Sequence, residues 1–212
     1  MLNVYYICVN SIDLLEKSNK IYISKEVVNL RVVSGKARGT NLFSLEGLNT
    51  RPTLDRVKEA LFNIIQKHLL DSKVLDLFAG SGALGIEAIS RGAQSVVFCD
   101  KSLEAINIIK KNIEKTHFEN QAKIMNKDYK SCLQILQDKF DIIFLDPPYK
   151  LDLATEAVKE ILNQNLLAED GIIIIETDEE QQELKKLKEI NINVYDLRKY
   201  GRVKLIFLNR KG

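Results

Sequence analysis

One stretch constrains this chain more than any other: Val74-Leu75-Asp76-Leu77-Phe78-Ala79-Gly80-Ser81-Gly82-Ala83-Leu84-Gly85-Ile86-Glu87. It opens with a short apolar run ending in an acid, crosses a turn of small residues and continues in a helix-periodic pattern. A strand, a tight loop and a helix start, in that order, make the first βα unit of a nucleotide-binding sheet. Gly80 and Gly82 lack a Cβ, so a ligand can approach the backbone closely. The helix behind them presents free N–H groups and the positive end of its dipole.

Gly80 to Gly85 match the G-x-G-x-x-G pattern, and Asp100 follows at roughly the 20-residue offset of a ribose-binding acid. That spacing alone serves a dinucleotide enzyme as well as any other Rossmann-like binder. Asp76 narrows the choice. A carboxylate just ahead of the glycines suits a ligand bearing an ammonium group, such as the amino-acid end of S-adenosylmethionine, and repels a pyrophosphate. The competing reading of Asp76 is a strand end whose side chain accepts a backbone N–H.

Composition excludes more than it selects. At 212 residues the chain is one domain, or one with a small appendage. A formal net charge of +2 does not announce nucleic acid, so any such case rests on where the charge lies. Cys8, Cys99 and Cys132 are odd in number and widely spaced, and His68 and His117 stand alone. Neither a metal site nor a disulfide framework is indicated. No apolar run is long enough for a bilayer and no signal peptide is recognisable, so the chain reads as cytoplasmic.

Residues 1–29 carry no assignable function, with Ser18-Asn19-Lys20 as a turn. From Leu30, two extended stretches, Leu30 to Val33 and Thr40 to Phe43, flank a glycine-bounded tip carrying Lys36 and Arg38. The pattern predicts a basic β-hairpin over residues 30–50, its tip either a solvated turn or a finger for phosphates. A helix capped by Thr53 follows, with Val57, Leu61, Ile64 and Ile65 as its core stripe and Arg51 and Arg56 off that stripe. Strands and helices then alternate, and Asp76, Asp100, Asp128 and Asp146 recur at strand ends, where open α/β sheets bind ligands. A hairpin turning at Tyr200-Gly201 closes the chain.

Asp146-Pro147-Pro148-Tyr149 ends a strand, Phe140 to Asp146, that is nearly all apolar and so fits burial on both faces. The prolines fix the backbone and offer carbonyls without N–H donors. The Asp146 side chain and the Pro147 carbonyl can each accept one hydrogen of an exocyclic nucleobase amine, freeing its lone pair. Tyr149 can stack on the base. The competing reading is a rigid turn with Tyr149 as surface packing.

With these motifs quoted, the chain resembles the RsmD-type 16S ribosomal RNA guanine-N2 methyltransferases from Leu30 onward. The resemblance rests on Arg31 to Gly39, Arg51-Pro52-Thr53 with Arg56 to Asn63, Leu75 to Glu87, Phe144 to Tyr149 and the closing hairpin. It implies an α/β, Rossmann-like class I methyltransferase fold, a seven-stranded and mainly parallel sheet with an antiparallel last strand. Residues 30–212 would be the methyltransferase domain, with 51–212 its cofactor-binding and catalytic core. The same resemblance implies S-adenosyl-L-methionine as cofactor. Asp76 and Phe78, Ala79, Gly80, Ser81 and Gly82 would hold its methionine part, Asp100 with Lys101 and Ser102 the ribose, and Asp128 and Tyr129 the adenine. Asp146, Pro147, Pro148 and Tyr149 would hold the target guanine. Lys36, Arg38, Arg51, Arg56, Lys199, Arg202 and Lys204 would grip RNA phosphates at the rim. The expected partner is 16S rRNA within the 30S subunit or a precursor, and the expected state a monomer. Three alternatives stand beside this reading: adenine-N6 methylation of DNA or RNA, a non-catalytic RNA-binding assembly protein, and a nicotinamide-dependent oxidoreductase.

Overall fold

The computed structural model describes residues 30–45, 53–148 and 153–211, with the backbone alone of 14–17, 20–23, 53 and 54. Tyr149, Arg51, the Thr53 side chain and most of residues 1–29 lie outside them. The remainder is built on a sheet of seven strands: β3 (Lys73–Asp76), β4 (Ser95–Asp100), β5 (Ala122–Asn126), β6 (Phe140–Leu145), β7 (Leu167–Thr177), β8 (Ile192–Tyr200) and β9 (Val203–Arg210). Their spatial order is β5-β4-β3-β6-β7-β9-β8. Pairing is parallel from β5 to β7, whereas β9 runs antiparallel to both β7 and β8. The expected class I arrangement is therefore present, with the final strand inserted against the grain of the sheet.

Order reverses at β3, which sits between β4 and β6. In such sheets the crevice beyond the carboxyl ends of the strands at the reversal is where ligands bind. Helices cover both faces. α1 (Thr53–Ile64), α2 (Ala83–Ser90) and α3 (Leu103–Thr116) set Leu61, Phe62, Ile86, Ile106 and Ile109 on one face, against Val74, Phe98, Phe144 and Ile174. α4 (Tyr129–Ile135), α5 (Leu153–Asn163) and α6 (Glu180–Leu187) set Leu133, Val158, Ile161 and Leu187 on the other, against Leu75, Ile143, Ile173 and Ile206. Alternate residues of β6 and β7 thus feed opposite cores, which is why both strands read as continuous apolar runs.

The N-terminal third differs from expectation. A hairpin is present at β1 (Leu14–Lys17) and β2 (Lys20–Ile23), around the anticipated turn. Residues 30–43 double back as expected, joined by one bridge, Arg31 to Asn41, and by backbone bonds from Val32 to Thr40, Gly39 to Val32 and Leu42 to Leu30. The donors nearer the tip are bonded to α2 instead. Val33 and Ser34 donate their N–H groups to the Glu87 carboxylate at 2.7 and 2.9 Å. Lys36 donates to the Ser90 carbonyl at 2.8 Å, and Ala37 to the Ser90 hydroxyl at 2.9 Å. The segment is an arm fastened along α2 rather than a free hairpin.

Candidate functional site

The site is assembled at the carboxyl edge of β3, β4, β6 and β7. Gly82 caps α2 in the left-handed conformation (φ 78°) and has no side chain to satisfy the helix N-terminus. Asp76 does so from the end of β3, its Oδ2 accepting the Gly85 N–H at 3.0 Å. The backbone-acceptor reading of Asp76 is thus realised by one oxygen. Burial pushes this carboxyl up to about 7, against the lowering bond from Gly85, and Asp146 and Asp100 raise it further. A buried acid crowded by other acids is poised to hold a cationic group.

The third glycine of the motif works by close packing. A Cβ on Gly85 would lie 2.3 Å from the Phe98 ring and 2.8 Å from Val96, so only glycine lets α2 settle on β4. Gly80 is the opposite case: φ is 53° and nothing lies within 4 Å of where its Cβ would be, leaving space over the loop. Asp100 shapes that loop, accepting from the Gly80 N–H at 2.9 Å through Oδ2 and from the Ser102 N–H at 2.8 Å through Oδ1. Each oxygen keeps a lone pair for a hydroxyl ligand. Ser102 itself caps α3, and Lys101 is exposed beside it.

Toward β5, on the face covered by α4 to α6, the half-buried Phe78 meets the Tyr129 ring at 5.5 Å between centroids. The Tyr129 hydroxyl donates to Glu156 at 2.9 Å, and burial together with that carboxylate raises its pKa. Asp128 caps α4 by accepting from the Ser131 N–H and hydroxyl, bonds that lower its pKa. This pair of rings beside the Asp128 carboxylate offers an apolar surface with a polar edge.

Asp146 differs from these acids: no hydrogen bond or ion pair holds its carboxylate among the described residues. It is open to solvent yet ringed by protein, as for a group lining a concave pocket, and desolvation pushes it up to about 6. Pro147 is half-buried and Pro148 exposed beside it.

The expected basic residues occupy different places. Lys36 and Arg38 are exposed, but the contacts to Ser90 fix their turn at the far end of α2. Eight residues of helix put that end about 12 Å from the glycine loop, so this pair flanks the site at a distance instead of lining its rim. By contrast, the register Thr177 to Lys204 brings the β8–β9 turn to the edge where Asp146 stands. There Arg202 is exposed, Lys199 pairs with Glu180 at 2.9 Å, and the Lys204 ammonium donates to the carbonyls of Asp178 and Arg202. Arg56 is exposed in the first turn of α1.

Three residues that the sequence did not single out complete the picture. Glu87, fully buried, binds the arm as described and also pairs with Arg91 at 2.8 Å and Lys58 at 3.3 Å. Asn112, also fully buried, accepts from the Phe43 N–H and donates to the carbonyls of Phe43 and Ser81 at 2.9 and 2.8 Å. Glu176, the last residue but one of β7, follows Ile175 as Asp146 follows its partner Leu145. Only their local polarity within apolar patterns hinted at them. Among the described residues no cluster of His, Cys, Asp or Glu is placed to hold a metal, and no helix is long and apolar enough to cross a membrane.

Known proteins share this architecture. Residues 30–209 match the family model described as conserved hypothetical protein 95. The ribosomal RNA small subunit methyltransferase D of Haemophilus influenzae is 37% identical over 155 residues, 72% of this chain and 80% of that protein. Its Escherichia coli namesake is 33% identical over 151 residues, 71% and 76% of the two chains. Among solved structures, an Escherichia coli protein described as a methyltransferase superposes with a TM-score of 0.72 at 26% identity, covering 86% of this chain and 98% of that one. A Thermus thermophilus protein superposes with a TM-score of 0.69 at 28% identity, covering 84% and 97%. A family model matched over most of the chain, and relatives aligned over most of their own length, establish that this chain belongs to the RsmD-type methyltransferase family.

Proposed function

We propose that this protein transfers a methyl group from S-adenosyl-L-methionine to the exocyclic N2 amine of a guanine in 16S ribosomal RNA, within the 30S subunit or a precursor. The relatives named for small-subunit ribosomal RNA methylation support the RNA class. One observation carries the chemistry: among the described residues the Asp146 carboxylate stands at the strand end without a partner, followed by the donor-free Pro147. The space over Gly80, the acid at Asp76 and the remaining lone pairs of Asp100 fit the cofactor.

When bound, S-adenosylmethionine supplies a methyl group on a positively charged sulfur that departs as a neutral thioether. Asp76 with Phe78, Ala79, Gly80, Ser81 and Gly82 would hold its methionine part, the Asp76 carboxylate facing the ammonium group, while Asp100, Lys101 and Ser102 would hold its ribose and Asp128 and Tyr129 its adenine. The Asp146 carboxylate and Pro147 carbonyl would each accept one N–H of the target amine, turning its lone pair toward the methyl group, with Pro148 and Tyr149 bounding the base. Much of the rate would come from that alignment. Once the N–C bond has formed, the nitrogen sheds a proton to Asp146 or to water. The guanine reaches this pocket by leaving its stack. Arg202, Lys199 and Lys204 would meet phosphates beside the pocket and Lys36 and Arg38 farther out, with Arg56 and, from outside the described residues, Arg51 adding to the same grip. Under this reading residues 30–212 form the catalytic domain of a cytoplasmic monomer.

The test is transfer of labelled methyl groups to small subunits lacking their own modification, followed by nucleoside analysis. Label in N2-methylguanosine at one site is the expected result. Label in N6-methyladenosine would move the substrate to the other amine that this motif can hold. Cofactor binding without label would favour a role in RNA binding. Asp146→Ala should abolish transfer while cofactor binding persists.

A further inference from the structure

Glu176 stands at the edge of the pocket without a part in the reaction just described. Leu145 pairs with Ile175 in parallel register, so Asp146 and Glu176 follow at the next position on adjacent strands. Phe144 and Ile174 face the core beneath α1 to α3. Strand side chains alternate, so Asp146 and Glu176 project on that same face one residue pair farther out, beyond the core. Neither carboxyl is bonded by any donor among the described residues. The nearest cation in register, Lys204 opposite Thr177, directs its ammonium to two carbonyls instead. Asp76, Asp100 and Asp128 contrast with them, each accepting backbone N–H bonds. The strand-end acids therefore fall into two groups, one bonded by the protein and one left for something else.

We propose that Glu176 reads the N1–H of the target guanine while Asp146 and the Pro147 carbonyl hold its N2 amine. This rests on the guanine-N2 reading and names a second atom of the base that the site recognises. N1–H and the N2 amine are neighbours on one edge of guanine, whereas adenine presents a lone pair at N1. Adjacent strands lie roughly 4.8 Å apart, and glutamate has one methylene more than aspartate to reach inward over that gap. Either an ionised carboxylate or the carbonyl oxygen of a protonated carboxyl accepts from N1–H, so the contact does not require one protonation state.

The discriminating substrate is 16S RNA carrying 2-aminopurine at the methylated position, assembled into small subunits. Its 2-amine matches that of guanine but its N1 bears a lone pair. Burial and the neighbouring Asp146 push Glu176 up to about 8. The assay is therefore run near pH 8.5, where most of the carboxyl is ionised and cannot donate to N1 while the N1–H of guanine is still largely in place. The wild-type protein should prefer guanine roughly ten- to hundredfold, the loss of a charge-assisted hydrogen bond. Glu176→Gln can present its amide oxygen to N1–H or its NH2 group to the N1 lone pair, so it should methylate both substrates within a few-fold of each other. Glu176→Leu should be slow on both, with no preference. A guanine preference that survives unchanged in both variants, with N2-methylguanosine as product, overturns the proposal and leaves the proposed function standing. A wild-type product other than N2-methylguanosine overturns both.

Discussion

The Lys58 ammonium lies 3.3 Å from the Glu87 carboxylate, with the two side chains 6% and 0% exposed. Lys58 also donates to the carbonyl of Arg31, and Glu87 accepts from Val33, Ser34 and Arg91. The pair joins α1, α2 and the arm in a buried region. Desolvation lowers the pKa of Lys58, with the attraction of Glu87 opposing it.

Removing one member of a buried pair strands the other, at a cost of about 3–5 kcal/mol. Glu87→Gln should therefore destabilise the protein by that order in urea unfolding and expose the arm to proteolysis. Glu87→Gln combined with Lys58→Met should recover part of the loss, because the stranded charge is gone. A double variant no more stable than Glu87→Gln would show that the backbone bonds of the arm, not the charge, dominate.

The acids at the pocket give stability a definite pH dependence. Asp76 titrates at about 7 in the folded protein and at 3.8 when unfolded. The folded state therefore binds more protons between these values. Stability is complete below 3.8 and is lost as pH rises through 7, with a slope of about 1.4 kcal/mol per pH unit from this group. Asp146 and Glu176, also raised, act in the same direction. Asp76→Asn keeps an acceptor for the Gly85 N–H but cannot ionise. It should flatten the fall and leave the ligand-free protein more stable than wild type near pH 8, while weakening cofactor binding. Parallel stability curves for the two proteins from about pH 5 to 8 would contradict the assigned shift.

The glycine loop was legible because its chemistry is local: the turn and the cap lie within Asp76 to Gly85. The alternation of β and α was legible for the same reason, since strands such as Phe140–Leu145 are buried on both faces. What escaped is long-range. The hairpin pattern of residues 30–43 was real, but the donors near its tip are satisfied by Glu87 and Ser90, 53 and 54 positions away. Nothing in those residues announces partners on a distant helix. Glu176 follows the apolar run Ile172 to Ile175 as its first polar residue, and only its register beside Asp146 gives it meaning.

Two glycines of one motif should fail differently. In Gly85→Ala the new methyl group collides with Phe98 and Val96, an overpacking cost of about 1–3 kcal/mol that urea unfolding would read directly. Gly80→Ala meets no neighbouring atom, so its cost in stability should be confined to the positive φ, about 1–2 kcal/mol. Its methyl group would instead enter the space assigned to the cofactor. Calorimetric titration should find the larger loss of S-adenosylmethionine affinity in Gly80→Ala, at matched fractions of folded protein. The reverse order would move the cofactor away from this loop.

Asn112 ties the arm to the glycine loop through one amide. Its oxygen accepts from the Phe43 N–H, and its nitrogen donates to the carbonyls of Phe43 and Ser81. Asn112→Leu would leave those three backbone groups without their buried partner, each worth about 1–3 kcal/mol if water cannot replace it. Asn112→Asp is the sharper test, because a carboxylate can still accept from Phe43 but cannot donate to Ser81. If the clamp sets the shape of the loop, Asn112→Asp should bind S-adenosylmethionine several-fold more weakly even where it remains folded. Hydrogen exchange at Gly80 to Gly82 should rise with it. Should affinity hold while only exchange at Phe43 rises, Asn112 anchors the arm alone and the loop is held by Asp100 and Asp76.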